Sequence, residues 1–390
     1  MPGNELIGKE ELDEIHKIFN SGGVLFGHGF DIRRDGCYKV REFEHKLSSK
    51  FGALAACCSS GTAALFVSMK ILGVSAGDYV AIQHYNFIAS AEAVVACGAV
   101  PIVIDIDNSL NMCPASLLEK FNEYNFKAVI ATDMQGNPAD YDLISRICLE
   151  NNSFLIEDAC QAIGGKYKDS YLGTLADVGT FSLDFGKTIT TGEGGVVFTK
   201  SKQLHQLAKA YIDHGHANEI GVDRGNDSAL ICGFNFRMSE LQAAVGIAQL
   251  GKLDAIIKSY NTNNTLLMEM IDFEIKSRVM YRKINDNNYL RDGVIFFMNK
   301  DINSNELDKA TAELGISFKN VPNAIKWHSA EYWEHVWKDH PVYRLPESRK
   351  WESSISLLKR AWSFSVNVLD SESDLELKAK KIITLVKRYS

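Results

Sequence analysis

The sequence has few prolines, no CxxC pair of cysteines and no long hydrophobic run. It contains seven prolines and eight cysteines in 390 residues, and no two cysteines stand in a CxxC spacing. Metal sites need closely spaced soft ligands, and small secreted domains need dense disulfide frameworks. No window reaches the roughly 18 apolar residues of a membrane span, and the N-terminus lacks an apolar signal core. These absences argue against a metal site and a membrane partner, and predict reduced thiols in a cytoplasmic protein.

The charge and composition narrow the classes of partner. The formal net charge of −7 argues against nucleic acid or an anionic membrane as the main partner. A local basic cluster remains compatible with a small anionic ligand. Apolar residues make up 46% and charged residues 23% of the chain, as in ordinary globular proteins. A chain of 390 residues is too long for one compact core, so we expect a large domain with a smaller one attached.

Short apolar runs alternate with helical patterns between about residues 50 and 200. Such alternation predicts an α/β fold with a mainly parallel sheet between helices. Ligands of such sheets bind beyond the carboxyl ends of the strands, so the residues that follow each run matter most. The predicted strands are YVAIQ (79–83), VPIVIDI (100–106), KAVIATD (127–133), SFLIED (153–158), VGTFSL (178–183) and GVVFT (195–199), and the predicted helices are 62–73 and 89–99.

The pattern of the C-terminal part predicts a second, smaller domain. Residues 236–271 have long helical periodicity and are expected to bridge to it. We predict a large domain with an N-terminal arm over residues 1–252 and a small C-terminal α+β domain over 253–390. The small domain would hold strands GVIFFM (293–298) and ISFKNV (316–321), with helices over 304–315 and 374–389. The stretch 322–352 has no clear assignment.

Two segments contain polar residues where the pattern places a ligand. CSSGTAAL (58–65) is a Ser-Ser-Gly-Thr turn that opens a helix. It is either an ordinary N-cap or a phosphate site made of free N–H groups and hydroxyls. LIEDACQAIGG (155–165) places Glu157 and Asp158 after a buried strand. They are either strand-end acids or anions facing a cationic ligand. Cys160 has no histidine arranged near it in sequence and is a poor candidate nucleophile.

The segment GKTITTGEGG (186–195) combines one lysine, Lys187, with a glycine-rich loop between two apolar strands. A surface lysine is the ordinary interpretation. A lysine amine held among apolar walls and other cations instead loses proton affinity, and it then forms a Schiff base with an aldehyde. A phosphate cradle, a strand-end carboxylate and a sheltered lysine, in that order, are the parts that a pyridoxal 5′-phosphate site requires. The three together are a stronger indication than any one alone.

These residues resemble the DegT/StrS family of sugar aminotransferases, which have the type I fold of pyridoxal phosphate enzymes with a seven-stranded, mainly parallel sheet. The resemblance covers nearly the whole chain. It is densest in SSGTAAL (59–65), EDACQAIGG (157–165), FSLDFGKTITTGEGG (181–195) and GFNFRMSELQAAVGIAQL (233–250).

The resemblance implies roles for particular residues. Lys187 matches the catalytic lysine that binds the aldehyde and shuttles protons, and Asp158 matches the partner of the pyridine nitrogen. Gln161 matches the residue beside the ring hydroxyl, and Phe87 the aromatic stacked on the ring. The phosphate binders match Ser60, Gly61, Thr62 and Ser182, together with Asn235, which in the family reaches across from the neighbouring subunit. A homodimer with shared active sites is therefore implied. One branch of the family has histidine in place of the lysine and performs dehydration, so Lys187 favours transamination.

Several stretches resemble, within the family, the branch that forms 8-amino-3,8-dideoxy-manno-octulosonate, a lipopolysaccharide sugar acid. They are MPGNELIG (1–8), LFGHGFDIRRDG (25–36), FSLDFGKTIT (181–190), DHGHANEIGVDRG (213–225) and IKWHSAEYWEHV (325–336). Asp184 departs from the aromatic or histidine that many members have there, which counts against a generic nucleotide-sugar substrate. A sugar carboxylate needs a cation, and the candidates for contact with the substrate are Arg33, Arg34, Asp184, His214, His216 and His328. Arg237 is expected to support the loop that holds Asn235.

The expected reaction is a two-stage amino transfer. L-Glutamate gives its amino group to the cofactor, and the aminated cofactor passes it to the aldehyde or ketone of a sugar, with an 8-oxo-3-deoxy-manno-octulosonate as first choice. The alternative substrate is a nucleotide-linked 4-keto- or 3-keto-deoxysugar. From other classes, a non-catalytic sensor of pyridoxal phosphate and a plain binding protein remain open. The binding protein would leave the ordered set of motifs unexplained.

Overall fold

A computed structural model describes residues 2–219, 222, 224–301, 304–338 and 351–390 of the chain. The helices are α1 (Lys9–Asn20), α2 (Lys39–Phe51), α3 (Gly61–Ile71), α4 (Ala89–Ala96), α5 (Pro114–Phe121), α6 (Tyr141–Glu150), α7 (Lys202–Ile212), α8 (Glu240–Ile275), α9 (Ser304–Leu314), α10 (Ile325–His328), α11 (Glu334–Trp337), α12 (Glu352–Arg360) and α13 (Glu372–Tyr389). The strands are β1 (Leu54–Cys58), β2 (Tyr79–Gln83), β3 (Val100–Ile104), β4 (Phe126–Thr132), β5 (Phe154–Asp158), β6 (Lys166–Tyr167), β7 (Ser170–Tyr171), β8 (Val178–Ser182), β9 (Gly195–Thr199), β10 (Val279–Tyr281), β11 (Gly293–Met298) and β12 (Ala361–Ser365).

Seven strands form the central sheet in the order β1-β9-β8-β5-β4-β2-β3. Neighbours from β8 to β3 pair in parallel, whereas β9 is antiparallel to both β8 and β1. The predicted α/β class with a mainly parallel seven-stranded sheet is therefore confirmed. The predicted strands and helices of residues 62–199 correspond to α3, β2, α4, β3, β4, β5, β8 and β9, with shifts of one to a few residues at their ends.

The sheet is covered on both faces. Two apolar clusters flank it: one includes Phe43, Phe181 and Phe198, and the other includes Val67, Ile82 and Val197. The residues of β8 and β9 are buried throughout, as expected for strands covered on both sides. Because β1, β2, β4, β5 and β8 run in the same direction, their carboxyl ends meet at one edge, where Ser60, Asp158 and Ser182 lie.

A second, antiparallel sheet is formed by β10, β11 and β12. The predicted strand 293–298 is β11, but the predicted strand ISFKNV (316–321) was wrong. Only two backbone hydrogen bonds tie that segment to β12, from Lys319 N to Ser363 O (2.8 Å) and from Ser363 N to Val321 O (3.1 Å). Phe318 packs against the rings of Trp362 and Phe364, so the segment follows the sheet edge without a continuous ladder.

Helix α8 links the two sheets. It begins at a capping box in which the Ser239 hydroxyl accepts from Gln242 N, as is typical of a helix N-terminus. Its 36 residues pass through position 252, so the division of the chain at 252/253 stays a prediction. Of the stretch 322–352, the structure describes residues 322–338, which include α10 and α11, and residues 351–352, where α12 begins. Positions 339–350 lie outside the described residues. No helix of the described part is both long and apolar enough to cross a membrane.

Candidate active site

A cavity of about 470 Å³ opens at the edge where the parallel strands end. It brings together residues that come from seven separate stretches of the sequence. Those that the sequence predicted are Ser60, Gly61, Thr62, Phe87, Asp158, Gln161, Ser182, Asp184, Lys187 and His328. Their roles toward a ligand stay predictions, but their common location is a property of the fold.

One wall is the start of α3. The Ser60 hydroxyl caps the helix by accepting from Ala63 N at 3.1 Å, and the first turn leaves N–H groups without an intrahelical acceptor. A Cβ on Gly61 would lie 2.7 Å from the Cβ of Ser182, and one on Gly195 would lie 2.1 Å from the Ser60 carbonyl oxygen. Both glycines are therefore required by close approach, and the last glycine of the GEGG loop holds the cradle against β9.

Asp158 ends β5 at the floor of the cavity and is 4% exposed. Its Oδ2 accepts hydrogen bonds from Ser90 Oγ (3.2 Å) and Thr132 Oγ1 (3.3 Å), and its Oδ1 accepts from Cys160 N (3.2 Å). These donors orient the carboxylate and compensate for its burial. Thr132 is placed opposite Asp158 by the parallel register of β4 and β5.

Lys187 lies on the loop after β8 with a side chain only 14% exposed, and its Nζ is 3.5 Å from Asp184 Oδ2. The Ser182 hydroxyl donates to the same carboxylate oxygen at 3.3 Å. Gly3 N donates to the Lys187 carbonyl oxygen at 3.0 Å, and a Cβ on Gly3 would lie 2.8 Å from that oxygen. The N-terminal segment thus packs directly on the lysine loop, a contact that sequence reasoning did not predict.

Two threonine hydroxyls stabilise the rest of the loop that carries Lys187. Thr190 Oγ1 donates to Leu183 O at 3.1 Å, and Thr191 Oγ1 donates to Glu193 O at 2.7 Å. Because these hydroxyls bond to backbone within the loop, they fix its path on both sides of the lysine.

Phe87, Gln161 and His328 line the opposite side. The Phe87 ring is 44% exposed and lies 5.5 Å from the His328 ring. Gln161 Oε1 accepts from Gln135 N at 3.1 Å, which leaves its Nε2 as a donor. The His328 Nδ1–H donates to Ala324 O at 2.9 Å. Burial lowers the pKa of His328, so this imidazole offers an acceptor nitrogen rather than the positive charge predicted for it.

Five predicted residues lie outside this cavity. Arg33, His214 and Asn235 are exposed, and His216 contacts Asp227 with Nδ1 3.3 Å from Oδ2. Arg34 is 1% exposed and pairs with Glu240 at 3.2 Å. Its guanidinium joins the 25–38 segment to α8, so we withdraw it as a substrate ligand. The predicted stretch 213–225 contains positions 220, 221 and 223, which lie outside the described residues.

The structure adds residues that the motifs did not predict. Thr132 and Ser90 support Asp158, and hydroxyls within apolar strands and helices give no signal of their own in a single sequence. Asn320, from the segment that follows the edge of the second sheet, also lines the cavity. Cys160 also lines the cavity, but burial raises the pKa of its thiol, which disfavours a thiolate nucleophile. The cavity lining further includes Leu65, Asn86, Ala89, Phe185 and Glu193.

The arrangement fits a phosphorylated pyridine aldehyde. The start of α3 and the hydroxyls of Ser60, Thr62 and Ser182 form one polar end. The buried carboxylate of Asp158 and the amine of Lys187 line the same cavity, and the glycine contacts leave room for backbone N–H groups to approach an anion. An aromatic face, that of Phe87, is exposed at the cavity wall.

Comparisons with known proteins agree with this arrangement. The family described as DegT/DnrJ/EryC1/StrS aminotransferase matches the chain over residues 7–363. GDP-perosamine synthase of Escherichia coli O157:H7 is 36% identical over 219 residues, which are 56% of this chain and 59% of that protein. The chain spans between 53% and 59% of the length of three GDP-perosamine synthases that it matches.

Solved structures share the fold along nearly the whole chain. An aminotransferase from Psychrobacter cryohalolentis is 23% identical with a TM-score of 0.84, and the match covers 98% of both chains. A GDP-4-keto-6-deoxymannose-3-dehydratase with a trapped PLP-glutamate geminal diamine is 20% identical with a TM-score of 0.79, covering 96% of this chain and 98% of the other.

Proposed function

The chain belongs to the DegT/DnrJ/EryC1/StrS aminotransferase family, and on that premise we propose that it moves an amino group from L-glutamate to the carbonyl carbon of a sugar with the help of pyridoxal 5′-phosphate. The observation that carries the proposal is the meeting of Lys187, Asp158 and the start of α3 in one cavity. When bound, the cofactor supplies an aldehyde that takes up and returns an amino group, and a ring that withdraws electrons.

Each residue has a stated task. The start of α3, with Ser60, Gly61 and Thr62, binds the phosphate through N–H groups and hydroxyls. Asp158 would hold the pyridine nitrogen of the cofactor in its protonated form, because a fixed carboxylate favours the charged ring. Lys187 would act as the general acid-base, with its Nζ holding and moving a proton during amino transfer. Phe87 offers its ring face, and Gln161 a donor beside the ring hydroxyl.

A nucleotide-linked keto sugar is the acceptor class that the comparisons favour. GDP-perosamine synthases are relatives at 36% identity, and two other relatives, from Micromonospora echinospora, are named as L-glutamine-dependent aminotransferases of scyllo-inososes. Amination of such a ketone replaces C=O with CH–NH₂, while glutamate leaves as 2-oxoglutarate. This changes the order of preference from the octulosonate expected from the sequence.

The 8-oxo-3-deoxy-manno-octulosonate remains the second candidate acceptor, within lipopolysaccharide biosynthesis. It is favoured by the stretches at 1–8, 25–36 and 213–225, and by Asp184 in place of an aromatic residue. It has less support from the cavity. Lys187 and neutral His328 are the basic side chains that line it among the described residues, so a sugar carboxylate would need a cation from elsewhere.

A second copy of the chain completes the proposed site. Asn235 is exposed and lies outside the cavity of its own chain. Its neighbour in sequence, Phe234, is 51% exposed, and elsewhere on the surface Phe30 is 56% and Ile32 103% exposed, and large exposed apolar side chains are typical of residues that protein interfaces cover. We propose a homodimer in which Asn235 binds the phosphate held by the partner.

The test is the absorption spectrum of the purified protein in the presence of pyridoxal 5′-phosphate. A visible band should form, fade on addition of glutamate, and return when an acceptor is supplied. The two acceptors to compare are a GDP-linked 4-keto-6-deoxysugar and the 8-oxo-octulosonate. Lys187→Ala should form no such band and should lose amino transfer by at least about 10²- to 10⁴-fold, the range for a positioned general acid-base.

The control is Lys168→Ala, a surface lysine 63% exposed and paired with Asp142, which should behave as wild type. Return of the band with the octulosonate alone would reverse the order of the two acceptors. A band unmoved by glutamate would indicate another donor or a non-catalytic sensor. A protein that stays colourless with added cofactor would contradict the proposal.

A further inference from the structure

Two buried carboxyl groups lie behind the cavity floor, on the face of the sheet opposite Asp158. The register of β4 and β5 pairs Ala131 with Glu157 and Thr132 with Asp158. Because successive side chains of a strand point to opposite faces, Asp158 faces the cavity and Glu157 faces away. Asp133 follows Thr132 and lies on the Glu157 side. Both Glu157 and Asp133 are 0% exposed.

The two groups have unequal hydrogen-bond partners. Glu157 Oε1 accepts from Gly173 N at 2.6 Å, and its Oε2 accepts from Leu175 N at 2.7 Å. Asp133 Oδ1 accepts from Ala139 N and from the Tyr141 hydroxyl, both at 2.9 Å. Asp133 Oδ2 is buried and receives no hydrogen bond from the described residues. An ionised oxygen in that position would have no compensation for its lost hydration.

We propose that Asp133 and Glu157 hold one proton between them, with Asp133 as the neutral acid that donates from Oδ2 to an ionised Glu157. Two adjacent carboxyl groups in a buried site cannot both be ionised without a large free-energy cost. The negative charge is most stable on the carboxylate that accepts more hydrogen bonds from N–H donors. Backbone N–H groups donate hydrogen bonds to both oxygens of Glu157, whereas Asp133 Oδ2 receives none from the described residues. The unpartnered Oδ2 is thus the atom that carries the proton.

The surroundings contain nothing that neutralises a second charge. Among the described residues, the Tyr141 hydroxyl from α6 faces the pair, the Asp158 carboxylate adds its negative charge from the opposite face of the sheet, and the turn at Gly173–Leu175 contributes backbone N–H groups. Burial, and next the charge of Glu157, raise the pKa of Asp133. Burial also raises the pKa of Glu157, against the opposing effect of its N–H donors.

The pair positions the cavity floor. Asp133 N donates to Asp158 O at 3.0 Å, and two residues later Gln135 N holds Gln161. The shared proton joins the end of β4 to β5 directly behind these contacts. Asp133 and Glu157 are therefore positioning residues, and their effect is independent of which sugar is aminated.

The test uses the cofactor-free protein and compares Asp133→Asn with wild type. Asparagine keeps the Oδ1 acceptor and has an Nδ2–H donor for Glu157, so it mimics the protonated acid at every pH. In the wild type the folded state keeps its proton above about pH 4, where an unfolded aspartic acid loses it. The unfolding constant of the wild type therefore rises with pH relative to the variant, by up to about tenfold per pH unit. The gain in melting temperature of Asp133→Asn should grow between about pH 5 and about pH 8.

Glu157→Gln is the matched control, because its amide nitrogen would face the N–H group of Gly173 or Leu175. It should lower the melting temperature at every pH. Infrared spectra add a direct readout: the wild type at neutral pH should show a protonated-carboxyl band that Asp133→Asn lacks, even if Glu157→Gln does not fold. A melting-temperature difference between Asp133→Asn and wild type that is constant with pH would overturn the assignment, and so would the absence of that band. The assignment would also be wrong if Glu157→Gln kept the wild-type melting temperature while Asp133→Asn failed to fold.

Discussion

The cavity and the segment 213–237 differ in how their polar residues are used. In the cavity, polar groups of five strand ends converge on open space, and among the described residues Lys187 has only the half-exposed Asp184 as an ionic partner. In the segment, charges are satisfied internally. Asp213 is 0% exposed and pairs with Arg224 and with Arg237 Nη1, the latter at 2.7 Å.

The electrostatics of Asp213 show what those arginines do. Burial opposes ionisation of Asp213, but hydrogen bonds from Arg224 and Arg237 outweigh it and lower its pKa to about 2. The bridge between Asp213 and Asn235 then sets the backbone beside the pair. The basic residues of this segment build a platform for Asn235, as expected for Arg237. In the proposed function, the cavity binds the cofactor and the segment presents Asn235 to a second copy.

The largest expected effect in this comparison comes from Asp158→Asn, which keeps the shape of the cavity floor but removes its charge. A hydrogen bond to a charged group contributes about 1.5–3 kcal/mol, so amino transfer should fall about 10- to 100-fold or more. Turnover with glutamate and the affinity for pyridoxal 5′-phosphate are the measurements.

Asp177→Asn is the matched control at the other end of β5, where Asp177 Oδ2 accepts from Leu155 N at 2.9 Å. It should lower stability modestly and leave turnover per folded molecule unchanged. An equal loss of turnover in both variants would mean that the charge of Asp158 acts through strand stability alone.

Asn235→Asp tests the segment by placing a carboxylate where the partner's phosphate is proposed to bind. Like charges in contact should weaken cofactor binding by about tenfold or more. The decisive measurement mixes Asn235→Asp with Lys187→Ala subunits at a limiting cofactor concentration, at which the first binds little cofactor and the second transfers no amino group. If sites are shared, a mixed dimer has one site with both native residues, so mixing should restore up to about a quarter of the wild-type sites.

No recovery on mixing, with exchange of subunits verified by mass, would contradict shared sites and would return Asn235 to an ordinary surface role. Asn218→Asp is a suitable control for added charge. The Asn218 side chain donates to its near neighbour His216 O at 3.0 Å, and the variant should form active homodimers.

The difference between the two regions also explains what could be predicted from sequence. Strand-end residues such as Asp158 and Ser182 were predictable, because a buried parallel strand appears in the sequence as an apolar run and the functional polar residue lies at the end of that run. Thr132 was not, because its function depends on the register of β4 against β5. Arg34 was misassigned, since an arginine in a polar loop gives no local sign of a buried partner 206 residues away. The strand expected at 316–321 failed for a related reason: its apolar residues pack on Trp362 and Phe364 without forming a ladder.

The smallest expected effect comes from Asp184→Asn, at the border between loop and cavity. Asp184 Oδ2 accepts from Ser182 Oγ and lies 3.5 Å from Lys187 Nζ, so it contacts two groups that a phosphorylated ligand would use. Its side chain is 43% exposed, and an ion pair this exposed contributes only about 0.2–1 kcal/mol. Removal of the charge should therefore tighten binding of inorganic phosphate and of pyridoxal 5′-phosphate by a few-fold, as measured by calorimetry.

Glu193→Gln is the control, because Glu193 lines the same cavity. Equal tightening in both variants would indicate a general effect of net charge, whereas tightening confined to Asp184→Asn would show that the carboxylate competes with the ligand for Ser182 and Lys187, and that this chain's departure from an aromatic residue sets its affinity for phosphate.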